Sequence, residues 1–201
     1  VNPTVNLHGK TNQYNVFATD TLSLNNQWHV TGAARYNYTD VQNKDKINGD
    51  TGSASLSGNH TFNRINPYLG LAFTPNQTTS IYGSYSESSR APSAIELGCA
   101  NPDSPCVLQN AMAGDPHLNQ VVAKTYEAGI RGKFLDNISW SASTYRAVNH
   151  QDIQFIFAGG STNRGYFDNV GNTLRQGLDL SLSGSLNNLR LRGSYSYISA
   201  E

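Results

Sequence analysis

"WHVTGAARYNY", residues 28–38, alternates without a break. Trp28, Val30, Gly32, Ala34, Tyr36 and Tyr38 share one phase; His29, Thr31, Ala33, Arg35 and Asn37 share the other. A period of two places successive side chains on opposite faces of a strand, so this stretch reads as a strand with one apolar and one polar face. The preceding stretch "QYNVFATDTLSL" (13–24) repeats the pattern, with Asp20 breaking its apolar phase. Asn25-Asn26 joins the two, and asparagine tolerates the positive φ of tight hairpins.

The same beat continues along the chain. "FNRINPYLGLAF" (62–73) puts Ile65, Pro67, Leu69, Leu71 and Phe73 in phase, and Pro75-Asn76 leads into "SIYGSYS". "AKTYEAGIRGKF" (123–134) turns at Asp136-Asn137 into "ISWSASTYR", and "GLDLSLSGSL" turns at Asn187-Asn188 into "LRLRGSYSY". About eight strands in four hairpins result, each near the ~9–11 residues that a tilted membrane strand needs. The tight turns all fall at one end. The long stretches, roughly Thr39–Asn59, Ser88–Asn119 and Asn149–Tyr166, all fall at the other. That asymmetry is the organisation of an outer-membrane barrel. No stretch reads as a helix.

Composition agrees. Charged residues make up 14% of the 201, against ~25% in ordinary soluble domains. Eleven Tyr, 18 Gly and abundant Ser, Thr and Asn supply a polar lumen face and aromatic rims. Fourteen basic against 14 acidic residues leave no basic excess for nucleic acid. No apolar run approaches the ~18 residues of a membrane helix. Walker, G-x-S-x-G and paired-His metal motifs are absent, so the reading is of a non-enzyme with no cofactor and no metal site.

Three ordered stretches carry a family resemblance. "SIYGSYSESSRAPSAIEL" (80–97) resembles a mid-barrel segment of TonB-dependent outer-membrane receptors through Arg90, Pro92, Glu96 and Leu97. "LNQVVAKTYEAGIRGKF" (118–134) resembles a second segment through Glu127 and Gly129, without the usual Pro-Glu. "YFDNVGNTLRQGLDLSLSG" (166–184) resembles a third through Asn169, Gly171, Gly177 and Asp179, with Asp for the commoner Glu. The resemblance implies an all-β, antiparallel transmembrane segment, about eight strands of a barrel of about 22, in the outer membrane of a Gram-negative bacterium. Residues 1–201 would then be a partial barrel domain without its plug domain and C-terminal strands. It further implies a receptor that takes up a scarce solute of the siderophore, cobalamin or saccharide class, energised by the TonB complex acting on the plug. A complete eight-stranded barrel with a structural or adhesive role is the alternative, and a soluble β-sandwich a more distant one.

The candidate ligand residues are Arg90, Asp115, His117, Tyr145, Arg146, His150 and Asp152, all at or just beyond the long-loop end. Guanidinium and phenol suit an anionic chelate, whereas His and Asp suit a metal or a sugar; for any single one of them ordinary loop polarity is the plainer account. Cys99 and Cys106, seven positions apart in one loop, read as a disulfide that stiffens a loop without a core of its own. Glu127 with Arg131, and Asp179 with Arg190 and Arg192, share polar faces; they read as ion pairs of the lumen wall in preference to ligand or plug contacts inside it. "IQFIFAGG" (153–160) reads either as an apolar loop segment over the mouth or as a strand continuation.

Overall fold

The computed structural model describes residues 6–49, 55–100, 106–107, 118–134, 137–159, 164–186 and 189–201. Alternation along each segment produces eight long strands: β1 (Leu7–Ser23), β2 (Trp28–Asp45), β3 (Gly58–Asn76), β4 (Thr79–Arg90), β6 (Val121–Phe134), β7 (Ile138–His150), β10 (Asn172–Leu186) and β11 (Leu189–Ala200). The remaining elements lie in the long connections: α1 (Ala94–Leu97), β5 (Cys106–Val107), β8 (Ile153–Phe157) and β9 (Arg164–Asn169). The long strands form one antiparallel sheet in the order β1-β2-β3-β4-β6-β7-β10-β11. No described helix is long and apolar enough to cross a membrane.

The sheet is open. β1 and β11 stand at its two ends without pairing each other, which overturns the alternative of a closed eight-stranded barrel. The strands are also longer than expected, 12 to 19 residues. Eighteen residues of β2 extend roughly 60 Å, well beyond a hydrocarbon core of ~30 Å even when tilted. The long-loop end of β2 therefore stands clear of the bilayer.

Register carries the apolar phase across the whole sheet. Trp28 pairs Phe73, which pairs Ile81, and the row continues through Ile130, Ala142 and Leu180 to Tyr195. Its first two rings stack 4.5 Å apart. Most of these side chains are exposed, as a lipid-facing band must be.

At the tight-turn end, Asn25 Oδ1 accepts from the N–H groups of Gln27 (2.8 Å) and Trp28 (2.9 Å). The second turn lies two residues later than expected. β3 runs through Pro75 and Asn76, and Gln77-Thr78 makes the turn, with Asn76 Oδ1 accepting from Thr78 N at 3.0 Å. A register shift between Phe73 and Asn76 absorbs the difference. Asp136, Asn187 and Asn188 lie outside the described residues.

Candidate functional site

At the long-loop end the polar face stops being open. Thr39, Val41, Asn43 and Asp45, every second residue of β2 and the continuation of the Arg35–Asn37 phase, are all buried. A cap lies on them. Its core is Val41, Leu97, Ala100, Leu118, Val121 and Ile153, flanked by Phe62, Ala94 and Phe167.

The cap begins where β4 ends. Pro92 breaks the strand and Ser93 starts α1, whose four residues carry a reciprocal capping box. Glu96 Oε2 accepts from Ser93 N at 2.7 Å, and Ser93 Oγ accepts from Glu96 N at 3.2 Å. Arg90 reaches over the break to donate from Nη1 to Glu96 Oε2 (2.8 Å) and from Nη2 to Oε1 (3.2 Å). Partial burial pushes the Glu96 carboxyl up, but the hydrogen bonds from Arg90 and Ser93 outweigh it and hold the group below the usual carboxylate range.

Leu97 and Pro92 are fully buried beneath this turn. Ala94 lies against Gly9 of β1, where an added Cβ would stand 2.7 Å from the Ala94 methyl carbon. Asn43 Nδ2 donates to Ala94 O at 3.0 Å. Asp45, at the loop tip of β2, accepts from the N–H groups of Ile47, Asn48 and Leu56 and from Asn48 Nδ2. Burial opposes its ionisation; these donors overcome that and lower its pKa.

The other half of the cap is the small sheet β5-β9-β8, which sequence reading missed as a sheet. "IQFIF" is its strand β8, a separate strand of the cap and not a continuation of β7. Phe155 packs edge-on to Phe157 and Phe167, at 5.5 and 5.2 Å between centroids. Phe167 N donates to Cys99 O at 2.7 Å, and Cys106 pairs by its backbone with Gly165. Cys99 is not a free thiol. The Cys106 side chain lies outside the described residues.

Asn169 ties the sheet down: its Oδ1 accepts from Asn119 N at 2.8 Å, and its Nδ2 donates to Gln151 O at 2.7 Å. Gly171 follows with φ +100, a conformation L side chains rarely adopt. Asp152 accepts the Thr173 hydroxyl proton at 2.7 Å. Asn169, Gly171 and Asp152 thus build the cap.

Beneath the cap lie two adjoining recesses on the polar face. The upper, about 310 Å³, is lined among others by Gln13, Thr39, Phe62, Ser89 and Arg90. The lower, about 560 Å³, is lined among others by Arg35, Asn37, Asn66, Tyr68 and Glu87. Pro67 explains why space opens there. It has no N–H, and the β3–β4 ladder ends beside it, at the Tyr68–Ser86 pair. Beyond that point Glu87 and Ser89 turn to meet β3: Arg64 Nη2 lies 2.6 Å from Glu87 Oε2, and Asn66 Nδ2 donates to Ser89 Oγ at 3.0 Å.

Elsewhere on the polar face, rings lie on glycines. Tyr82 lies on Gly129 across the strand pair, and Tyr145 on Gly177; an added Cβ would come within 2.6 and 2.8 Å of the respective rings. Glu127 and Arg131 do not pair with each other as expected. They meet at Tyr82, whose hydroxyl donates to Glu127 Oε1 at 2.9 Å while Arg131 sits 5.7 Å above its ring. Asp179 accepts from the Ser196 hydroxyl at 2.6 Å, whereas Arg190 and Arg192 stand opposite Ser185 and Ser183.

Of the candidate ligand residues that are described, Arg90 alone lines the upper recess, and its guanidinium is held by Glu96. Tyr145 lies flat on the polar face. Arg146 belongs to the opposite phase, in register with Tyr126 and Gln176. His150 ends β7, opposite Val122 and Asn172. Asp115 and His117 lie outside the described residues. Sequence reading missed the Arg64–Glu87 and Asn66–Ser89 pairs. It also missed the cap's seat, although Val41 and Phe62, apolar residues in an otherwise polar phase, were the available signal.

The model of the β-barrel of TonB-dependent receptor-like proteins matches residues 2–201. The chain is 24% identical over 184 residues to the metal-pseudopaline receptor CntO of Pseudomonas aeruginosa (strain UCBPP-PA14), covering 90% of this chain and 23% of that protein. Among solved structures, the alcaligin outer-membrane receptor FauA of Bordetella pertussis superposes with TM-score 0.69 at 18% identity, covering 97% of this chain and 31% of that one. The siderophore receptor PiuA of Acinetobacter baumannii gives 0.71 at 20% identity, covering 97% and 26%. The chain thus spans between a quarter and a third of the length of these structures, and its fold is that of their barrels. The family consists of outer-membrane receptors and transporters of Gram-negative bacteria. With its open meander of long strands, apolar band and capped polar face, the chain belongs to the TonB-dependent receptor family, as part of its β-barrel.

Proposed function

We propose that this chain is a wall of a receptor that binds a scarce metal chelate at its capped end and passes it inward under TonB-dependent energy. The observation that carries this reading is the cap itself. Loops of a merely structural barrel need no core, yet here α1 and β5-β9-β8 are packed onto the polar face, over recesses lined mostly by amides and hydroxyls, with Arg35, Arg90 and Glu87 among them. Neutral donors and acceptors of that kind suit the oxygen-rich exterior of a chelate. The related receptors for metal-pseudopaline, alcaligin and siderophore point to the same class. Cobalamin and saccharides are the other classes that such a lining accommodates.

The plug domain and its TonB contact belong, in this reading, to parts of the protein outside residues 1–201. Arg90 and Tyr145 remain the candidate ligand contacts from the polar face of the described strands, with Asp115 and His117 from the loop; His150, like Arg146, falls in the opposite phase. A Cys99–Cys106 disulfide would close the cap beside Gly165, which both cysteines approach. The test is uptake of radiolabelled ferric siderophores and metal chelates by the full-length receptor in a receptor-deficient Gram-negative host. Uptake abolished by loss of TonB is expected; binding and uptake of none of them would refute the reading.

A further inference from the structure

The outward, apolar phase ends at a different height on each strand. On β2 it ends at Tyr38, beyond which Asp40, Gln42 and Lys44 follow. On β11 it ends at Tyr197, one step above the row that joins Trp28 to Tyr195. The edge thus drops by about eight residues over the six strand spacings from β2 to β11, roughly 26 Å against roughly 29 Å. That slope, about 40°, is the tilt of strands in a membrane barrel, so the line from Tyr38 to Tyr197 runs parallel to the membrane. It is the headgroup level of the long-loop, extracellular side, where aromatic girdles lie.

Between the two tyrosines this line crosses Lys124 on β6, Arg146 on β7 and Gln176 on β10. Lys124 stands opposite Glu87, which also holds Arg64 at 2.6 Å. Arg146 has no such neighbour. Its register partners Tyr126 and Gln176 are uncharged, it is exposed, and among the described residues its guanidinium makes no ion pair. Below it β7 presents only Thr144 and Ala142 to the lipid before Trp140, while Leu178 and Leu180 rise beside them on β10. A recess of about 600 Å³ is lined among others by Tyr126, Ala128, Thr144, Arg146, Gln176 and Tyr197, all of the outward phase. Small side chains make its floor and rings make its sides. One free cation stands at its upper end.

We propose that Arg146 heads a groove for a phosphate-bearing lipid of the outer leaflet, its guanidinium and the Gln176 amide taking the phosphate. One acyl chain then lies over Ala128, Thr144 and Ala142. A guanidinium at headgroup level finds its counter-charge in an anionic headgroup and offers two parallel N–H groups to two phosphate oxygens. A neutral glycolipid supplies no counter-charge, and a free phosphate leaves the apolar trough unfilled. The groove lies on the face turned away from the cap, and nothing in it depends on what the receptor carries.

The experiment uses the intact receptor purified from outer membranes in detergent and stripped of bound lipid by detergent exchange. Native mass spectrometry follows binding of bis-phosphorylated lipid A and of the same glycolipid with both phosphates removed. Wild type should bind the phosphorylated form about tenfold more tightly. Arg146→Gln should lose that preference, and Arg175→Gln, one strand away on the inward phase, should keep it. Ala128→Trp, which fills the trough and leaves the cation in place, should weaken both glycolipids. Equal binding of the two glycolipids to wild type, or an undiminished preference in Arg146→Gln, overturns the groove. Inorganic phosphate at the same concentration should not displace the lipid; displacement would make this an ion site and overturn the lipid assignment. Heat-modifiable mobility on gels confirms that each barrel is assembled. If Arg146→Gln does not assemble, Ala128→Trp decides, and unchanged lipid affinity there overturns the proposal.

Discussion

Arg90 and Glu96 meet at two points, Nη1 to Oε2 at 2.8 Å and Nη2 to Oε1 at 3.2 Å, across the turn that carries the chain from β4 into the cap. Glu96 also closes the capping box of α1, so the two partners are not equivalent. Arg90 is half exposed, which limits what its removal costs. Arg90→Ala is expected to destabilise the α1 turn by about 1 kcal/mol, and Glu96→Ala by about 2, since it loses the cap as well. Amide exchange across residues 94–100 measures both. Equal effects would show that the capping box contributes nothing.

The same carboxylate sets a pH dependence. Its folded pKa is lowered, so its contribution is fully present above the unfolded value of about 4.3 and is lost as pH falls through the folded value. Asp45 behaves alike. Cap protection should therefore be flat from neutral pH down to about 5 and decline below about 4. In Glu96→Gln the decline should be shallower, because only Asp45 remains to titrate. A cap that loosens between pH 6 and 7 would contradict this assignment.

Gly9 permits the contact between β1 and α1. Gly9→Val places branched carbon where the Ala94 methyl now sits, and a strand backbone cannot retreat without breaking its ladder with β2. The helix must lift. The expected result is loss of exchange protection over 94–100 with the β1–β2 ladder retained, read by hydrogen exchange. Ala94→Gly in the same chain should restore part of the protection.

The two faces of β10 make opposite predictions. Leu180 lies in the apolar row that runs from Trp28 to Tyr195, and Ser181 points the other way, its hydroxyl 2.7 Å from that of Ser141. Leu180→Arg should cost about 2–4 kcal/mol if it lies near the bilayer midplane, and Ser181→Arg about 1 or less. Folding titrations of the full receptor into lipid vesicles distinguish them. Equal costs would mean that the face assignment is wrong.

What could be read from sequence, and what could not, follows from the range of the forces involved. The strands from Trp28 to Tyr38 and from Leu178 to Leu186 declare themselves because alternation is a local property of one segment. The hairpins follow because asparagine turns are local too. The cap was illegible because its core draws Val41, Leu97, Leu118 and Ile153 from four separate stretches, each carrying one or two apolar residues. The polar contacts were illegible for a different reason. Glu127 and Arg131 share a face on one strand, which suggested a pair, but the register sets Tyr82 opposite Gly129, between them. That register is fixed by the neighbouring strand, and no spacing within β6 contains it. Arg90 was legible through the family-like stretch around it; its partner became visible only once Pro92 had bent the chain back.

A double-mutant cycle tests the ring-on-glycine arrangement. Gly129→Ala should cost about 1–2 kcal/mol where Tyr82 is present and near zero in a Tyr82→Ala background, because the added methyl competes only with that ring. Additive costs would show that the glycine is required for backbone reasons instead.

Those rings also determine the relief of the surface they occupy. A tyrosine standing upright from a sheet rises several ångströms above its neighbours. Tyr82 and Tyr145 are instead laid down on residues with no side chain, so these two rings add little to the height of this face. Where these rings lie, the clearance in front of the wall is set by a flat ring and not an upright one, while the Tyr82 phenol oxygen still holds its hydrogen bond to Glu127. A body that must move past such a wall meets a nearly level floor, and one methyl group at Gly129 or Gly177 is enough to raise a step in its path.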